Sequence, residues 1–287
     1  MIDLVLLASA LRLATPLLFA ALGGIVSERS GVIHIALEGE LLIGAFAAAV
    51  VTLATGEPAA GVLAAVLAGA AFGLAHGVFG VLLAGDQIVV GVALNLLAAG
   101  ASQFLLGVLY GSSANSPTFG GAAASTGMSP LVALAFLLVA AVHLGLSRTV
   151  LGLRIRAAGE HPAACESAGV APARVRMAAV CIAGALAGLG GAYLALDASQ
   201  FVKNMSAGRG FIALAAVIFG KWRPAGAAVA CLLFGLAEAV QIRLQGEGVP
   251  TQFVQMIPYV LTMVALAGFV GRSRAPAALG VPLARER

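Results

Sequence analysis

The chain has 287 residues, of which 61% are apolar and 10% charged, and its mean hydropathy is +1.05. Soluble domains carry about 25% charged residues, so a globule of this composition could not cover its own apolar surface, and lipid must be the solvent. The formal net charge of +4 is topological, carried by basic residues in loops between apolar runs, and gives no nucleic-acid signal.

In hydrocarbon every backbone group needs an internal partner, which leaves helices or a closed barrel. The apolar runs are long and lack a period of two, so the chain is predicted to be an all-α, polytopic integral membrane protein. It reads as one membrane domain, 1–287, with about nine (8–10) transmembrane helices. The spans fall at 3–24, 33–54, 59–84, 88–110, 129–147, 177–197, 209–220, 225–244 and 253–271. The first opens MIDLVLLASALRLATPLLFAAL, with an aspartate and no basic leader, and reads as a retained span.

The second span follows a polar break, SERSGV, and contains Glu38 with His34 one helical turn earlier. A carboxylate inside a span is costly and needs a reason. Glu38 is either a gating or pathway group paired with His34, or an interfacial residue capping nearby backbone or meeting Arg29. Glu40 is expected to face water near the headgroups. In the fourth span Gln87, Gly91, Asn95 and Ser102 fall near one helical face. Asn95 lies deep and must bond either a passing solute or a neighbouring helix. Turn chemistry marks the connectors Gly56-Glu57-Pro58, Gly85-Asp86-Gln87 and 111–128.

Residues 148–176 form a polar island with Arg148, Arg154, Arg156, Arg174 and Arg176, punctuated by Pro162 and Pro172. A membrane protein has use for such a segment where it touches a soluble partner. The following run, GALAGLGGAYLAL (184–196), reads as tight helix packing. The 209–220 segment is too short to cross a bilayer straight and is expected to be a half-helix. Trp222, between Lys221 and Arg223, reads as an interfacial anchor. Glu238, Gln241 and Gln245 share a face that lines a vestibule or is simply a solvated helix end.

With 148–176 on the inner side, Arg29, Lys221, Arg223, Arg272, Arg274, Arg285 and Arg287 also fall inside, giving twelve of the 16 basic residues. Lys203, Arg209 and Arg243 fall outside, where they are candidates for pairing with charges on an extracytoplasmic partner. The N-terminus is then outside and the C-terminus inside. A faint internal echo links the two halves. Gly23-Gly24 precedes the break at 27–32, and Gly190-Gly191 precedes the break at 197–210. The helices that start the halves run in opposite directions, which is the pattern of an inverted repeat with a transport route at its interruptions.

No GxxxxGK[ST], HExxH or GxSxG occurs, the four histidines are scattered, and Cys165, Cys181 and Cys231 form no metal or disulfide pattern. No catalytic residue, metal or cofactor is predicted. Energy for any pumping must come from elsewhere.

Together, SERSGVIHIALEGELLIGAF (27–46), GDQIVVGVALNLLA (85–98), GLRIRAAGEHPAACESAGVAPARVR (152–176), GALAGLGGAYLAL (184–196) and GFIALAAVIFGKWRPAGA (210–227) carry a family likeness. They resemble the permease subunits of bacterial ABC importers, in the branch serving branched-chain amino acids, simple sugars and nucleosides, and the nucleoside-type permeases above all. The resemblance implies a type II-like multi-helix fold of about ten spans in the bacterial cytoplasmic (inner) membrane. Nine spans here would start at that fold's second helix. It further implies ABC ATPase subunits, an extracytoplasmic solute-binding protein and a second permease, as a heterodimer. The segment 148–176 matches the cytoplasmic coupling segment, with Gly159, Glu160, His161, Pro162, Ala164, Ala168 and Gly169 as its core. His34, Glu38, Gln87 and Asn95 are the expected solute-pathway residues, and Lys203, Arg209 and Arg243 the binding-protein contacts.

Two positions depart from the nucleoside-type pattern, which usually has asparagine where this chain has His34 and Asp86. A histidine on the route predicts a pH dependence near neutrality. Uptake of simple sugars or branched-chain amino acids is the neighbouring reading. A stand-alone channel or secondary carrier is the rival from another class.

Overall fold

The computed structural model describes residues 3–119, 129–245, 256 and 274–283. Ten α-helices occupy them: α1 (Leu4–Arg29), α2 (Leu37–Thr55), α3 (Pro58–Gly77), α4 (Gln87–Tyr110), α5 (Pro130–Arg148), α6 (Val150–Glu160), α7 (Pro162–Ser167), α8 (Pro172–Ala198), α9 (Arg209–Phe219) and α10 (Pro224–Leu244). A π-helical turn, Val78–Leu82, extends α3. Seven of these segments are long and apolar enough to cross a membrane. The ninth expected span, 253–271, lies outside the described residues apart from Met256.

Local chemistry sets the boundaries. Proline occupies the first turn of α3, α5, α7, α8 and α10, where its missing N–H costs nothing. Asp86, Ser129 and Thr149 cap α4, α5 and α6 through their side-chain oxygens. Gly56 and Gly111 close α2 and α4 in the left-handed region, at φ +76° and +66°.

The centre of the bundle is α8, against which α1, α2 and α3 pack. Its small residues make this possible. A Cβ on Gly184 would strike the Gly69 carbonyl, and one on Gly191 the Leu41 carbonyl. A Cβ on Gly188 would strike the Ala65 carbonyl. The run 184–196 is therefore a packing seam, as its composition indicates. The helices α4 and α5 are peripheral and present Leu96, Phe104, Val108 and Leu137 outward, each at least 65% exposed. That is an acceptable surface only in lipid or against another apolar chain.

Helix α1 runs antiparallel to α8: Gly23 abuts Ala183, Pro16 abuts Gly190, and Arg12 reaches Asp197 at the far end. One glycine of each pair in the echo, Gly23 and Gly190, thus lies on the α1–α8 contact, while Gly24 faces Leu37 and Val217 and Gly191 faces α2. Each helix is followed by a break and then by a helix that starts inside the bundle, α2 and α9. At the end of the bundle that carries Asp197, the loop after α4 meets the loop after α8, with Lys203 N–H donating to the Ala114 carbonyl at 2.7 Å.

The polar island comprises α6, α7 and the first turns of α8, so Arg174 and Arg176 are helical. One expectation needs correction. Trp222 is 7% exposed and donates its indole N–H to the buried carboxylate of Glu28, so it is a core residue rather than an interfacial anchor.

Candidate functional site

The α1–α2 break, residues 30–36, is a non-helical stretch inside the bundle, so its backbone groups need side-chain partners. Gln87 Oε1 accepts from Ile33 N–H at 2.8 Å, and His76 Nε2 donates to the Ile33 carbonyl at 3.1 Å. Asn95 bridges the break and α2: Nδ2 donates to the Ile35 carbonyl at 3.0 Å while Oδ1 accepts from Gly39 N–H at 2.7 Å. Gln87 and Asn95 are therefore brought to one place; the Asn95 amide and the Gln87 oxygen are committed to backbone, while the buried Gln87 Nε2 has no hydrogen-bond partner among the described residues. Gly91, on the same α4 face, lets the break approach, since a Cβ there would sit 3.0 Å from the Ile35 Cβ.

Glu38, 9% exposed, sits in the first turn of α2 and faces the start of α9. Oε1 accepts from Ser206 Oγ at 2.6 Å and Gly208 N–H at 2.8 Å, and Oε2 accepts from Gly210 N–H at 2.7 Å. Two helix N-termini thus converge, and one carboxylate serves the positive ends of both. At about 1.5 Å per residue the 11-residue α9 covers about half of a roughly 30 Å hydrocarbon core. Its start therefore lies well inside the bundle, as expected for a half-helix.

His34 does not pair with Glu38. Its Nε2 lies 2.9 and 2.8 Å from the two carboxylate oxygens of Glu40, and both residues are fully buried. The one-turn spacing from 34 to 38 has meaning only in a helix, and α2 begins at Leu37. Glu40 accordingly faces the interior, not headgroup water. The His76 ring stacks on His34 with centroids 4.9 Å apart. His76 and Ser206 were not singled out from sequence, because neither neighbours its partner in the chain. The departure at Asp86 has a simple account: its carboxylate caps α4 at Ile88 and Val89, which asparagine does equally well.

On the opposite side of the molecule from the 111–119 loop, α7 forms a small knob. Glu160, His161, Ala164, Ala168 and Gly169 are exposed, and Pro162 is half-buried. Gly159 is buried beneath them, against the Arg29 carbonyl. Cys165, 4% exposed, pins the knob to the body, and burial pushes its thiol pKa up, with the Glu166 charge adding to the rise. Arg29 lies within electrostatic reach of Glu160, Arg156 and Arg223, which puts these three arginines at one end of the bundle.

The charges expected on the outer side are mostly spoken for. Arg209 pairs with Glu238 at 2.7 Å and is half-buried, whereas Arg243 pairs with Asp3 at 2.9 Å at the surface. Lys203 is exposed. Arg209 and Arg243 line a cavity of about 560 Å³ with Arg12, Tyr193 and Asp197. Among the described residues no group of three or more potential metal ligands occurs.

A many-helix membrane body, with broken helices meeting inside it and a polar knob on one face, defines a multi-pass transport permease. The chain belongs to the family described as "Branched-chain amino acid transport system / permease component", whose sequence model matches residues 6–266. It is 39% identical to the guanosine ABC transporter permease NupQ of Bacillus subtilis, over 94% of this chain and 93% of the relative. It is 37% identical to the nucleoside ABC transporter permease NupC of Lactococcus lactis, over 96% of each. It is 38% identical to the putative glucose ABC transporter permease TsgC13 of Haloferax volcanii, over 84% of this chain and 78% of the relative. The same two bacteria each have a second, more distant matching permease, NupP (24%) and NupB (25%). No solved structure matches the chain.

Proposed function

We propose that this chain is the membrane-spanning permease subunit of an ATP-driven importer for nucleosides, acting in the cytoplasmic membrane and performing no covalent chemistry itself. The observation that carries the solute class is near-full-length similarity to two permeases named for guanosine and nucleosides. ATPase subunits supply energy at the knob formed by Glu160, His161, Pro162, Ala164, Ala168 and Gly169, with Gly159 as its buried root. A second, non-identical permease completes the path; the paired relatives in two bacteria support this. An extracytoplasmic binding protein delivers solute, with Lys203 and Arg243 as its exposed cationic contacts. Arg209, turned inward to Glu238, is better assigned to the start of α9.

The path runs beside the meeting of α2 and α9, where His34, Glu38, Gln87 and Asn95 gather. Access alternates when the two breaks shift against each other, and the Glu38 cap on α9 is the contact such a shift loads first. The test is guanosine uptake into vesicles holding this chain, its ATPases, its binding protein and the second permease. Uptake should require ATP, and replacing 159–169 with a flexible linker should abolish ATPase co-purification while leaving membrane insertion intact. Uptake by the permeases alone, or ATPase retention by the linker variant, rejects the reading.

The 38% identity to a putative glucose permease favours a second reading, sugar uptake. Affinities of the partner binding protein for guanosine and for glucose decide between them.

A further inference from the structure

Beneath the knob, one side chain holds three separate stretches of chain. Arg176, 1% exposed, donates from Nε to the Ser30 carbonyl at 3.0 Å and from Nη1 to the Val281 carbonyl at 2.8 Å. Its Nη2 reaches the carbonyls of Ala158 at 3.4 Å and Ala278 at 3.3 Å. Among the described residues it has no ion-pair partner. A buried cation without a carboxylate is tolerated only when its donors are met, and here main-chain carbonyls meet them.

The three stretches are the α1–α2 break, the end of α6 and a non-helical strap, residues 274–283. The strap also bonds the other two directly. Ala278 N–H donates to the Gly159 carbonyl at 2.8 Å, Gly280 N–H to the Gly31 carbonyl at 3.0 Å, and Ala277 N–H to Glu160 Oε2 at 3.2 Å. Close approach depends on Gly31, at φ +97°, where a Cβ would lie 2.6 Å from Arg176 Nη2 and 3.0 Å from the Ala278 carbonyl oxygen.

We propose that Arg176 is a positioning residue for transport, and that with the strap 274–283 it forms a transmission link between the knob and the α1–α2 break. The inference rests on the reading of 159–169 as the motor-docking segment. Hydrogen bonds from one buried guanidinium to all three stretches make them move as one body. A push on residues 160–169 is then delivered to Ser30 and Gly31, eight and seven residues before Glu38, instead of being absorbed in flexible loops. Because His76, Gln87 and Asn95 grip the same break, the displacement continues into α3 and α4.

The test uses the complete importer in vesicles, with ATP hydrolysis and guanosine uptake measured on the same preparation. Arg176→Lys keeps the charge but loses the forked donors. Gly280→Ala acts from the strap side, where φ is +76° and a Cβ would lie 2.7 Å from Ile33 Cδ1. Both variants should retain ATPase co-purification and hydrolysis, while solute moved per ATP falls roughly five-fold or more. If Arg176→Lys fails to fold, Gly280→Ala and a chain shortened to residue 273 decide the matter. Uptake and hydrolysis falling in proportion, or a parental ratio in any folded variant, overturns the link and leaves Arg176 a packing residue. Loss of ATPase co-purification in Arg176→Lys or Gly280→Ala would also overturn the link, by making Arg176 part of the docking surface, whereas ATPase retention by the 159–169 linker variant would defeat the docking reading itself, so the two failures are distinguishable.

Discussion

Gly210 donates its N–H to Glu38 Oε2 at 2.7 Å, and a side chain at Gly210 would collide with the backbone of Glu38. The two positions fit only each other. A carboxylate from one helix can cap a second helix inside a bundle when the second carries, in its first turn, a residue that has no Cβ.

Replacing Glu38 should therefore disturb α9. Glu38→Ala leaves the Gly208 and Gly210 N–H groups and the Ser206 hydroxyl without an acceptor, at about 1–3 kcal/mol for each buried group left unmet. Thermal unfolding in detergent should drop by several degrees. Glu38→Gln, which keeps one acceptor oxygen, should lose less stability. Uptake per folded molecule should fall in both, and unchanged uptake in Glu38→Gln would confine the carboxylate to capping.

The His34–Glu40 pair is fully buried, and breaking such a pair from one side costs about 3–5 kcal/mol. His34→Asn alone should lower membrane yield and thermal stability. Combining it with Glu40→Gln should recover much of the loss, a coupling that a double-mutant cycle measures directly. The folded double variant, compared with the parent between about pH 5.5 and about pH 8, tests whether the pair sets a pH response of transport. Identical profiles would assign it to structure.

Asn95→Leu removes the acceptor for Gly39 N–H and the donor to the Ile35 carbonyl together. The expected cost is about 2–4 kcal/mol, with uptake impaired beyond any fall in expression because the break is no longer held. Asn95→Asp keeps the bond from Gly39 and should be intermediate. Uptake per folded molecule equal to the parent's would remove Asn95 from the transport path.

Orientation is testable by thiol labelling. Cys165 and Cys231 are buried and Cys181 partly so. Burial holds the Cys165 thiol above its usual pKa, which keeps the reactive thiolate scarce at neutral pH. A cysteine placed at exposed Ala164 should label rapidly with an impermeant reagent in inside-out vesicles and not in intact cells. One placed at exposed Lys203 should do the reverse. The opposite pattern would invert the topology.

Composition and hydropathy alone determined the lipid-embedded helical body, the half-helix at 209–220 and the small-residue seam of α8. These are local or summed properties: span length and side-chain volume need no knowledge of neighbours. The motif likeness likewise located the knob, because its alanines and glycines are contiguous in the chain. Tertiary structure alone decided partners. His34 chose Glu40 over Glu38 because residues 34–36 are not helical, which voids the one-turn rule. Arg174 and Arg176 looked alike in sequence, yet Arg176 became the buried hub because three distant carbonyl-bearing segments converge on it. Charge and spacing constrain what a residue can bond, but the identity of its partner depends on which backbones the fold brings within about 3 Å.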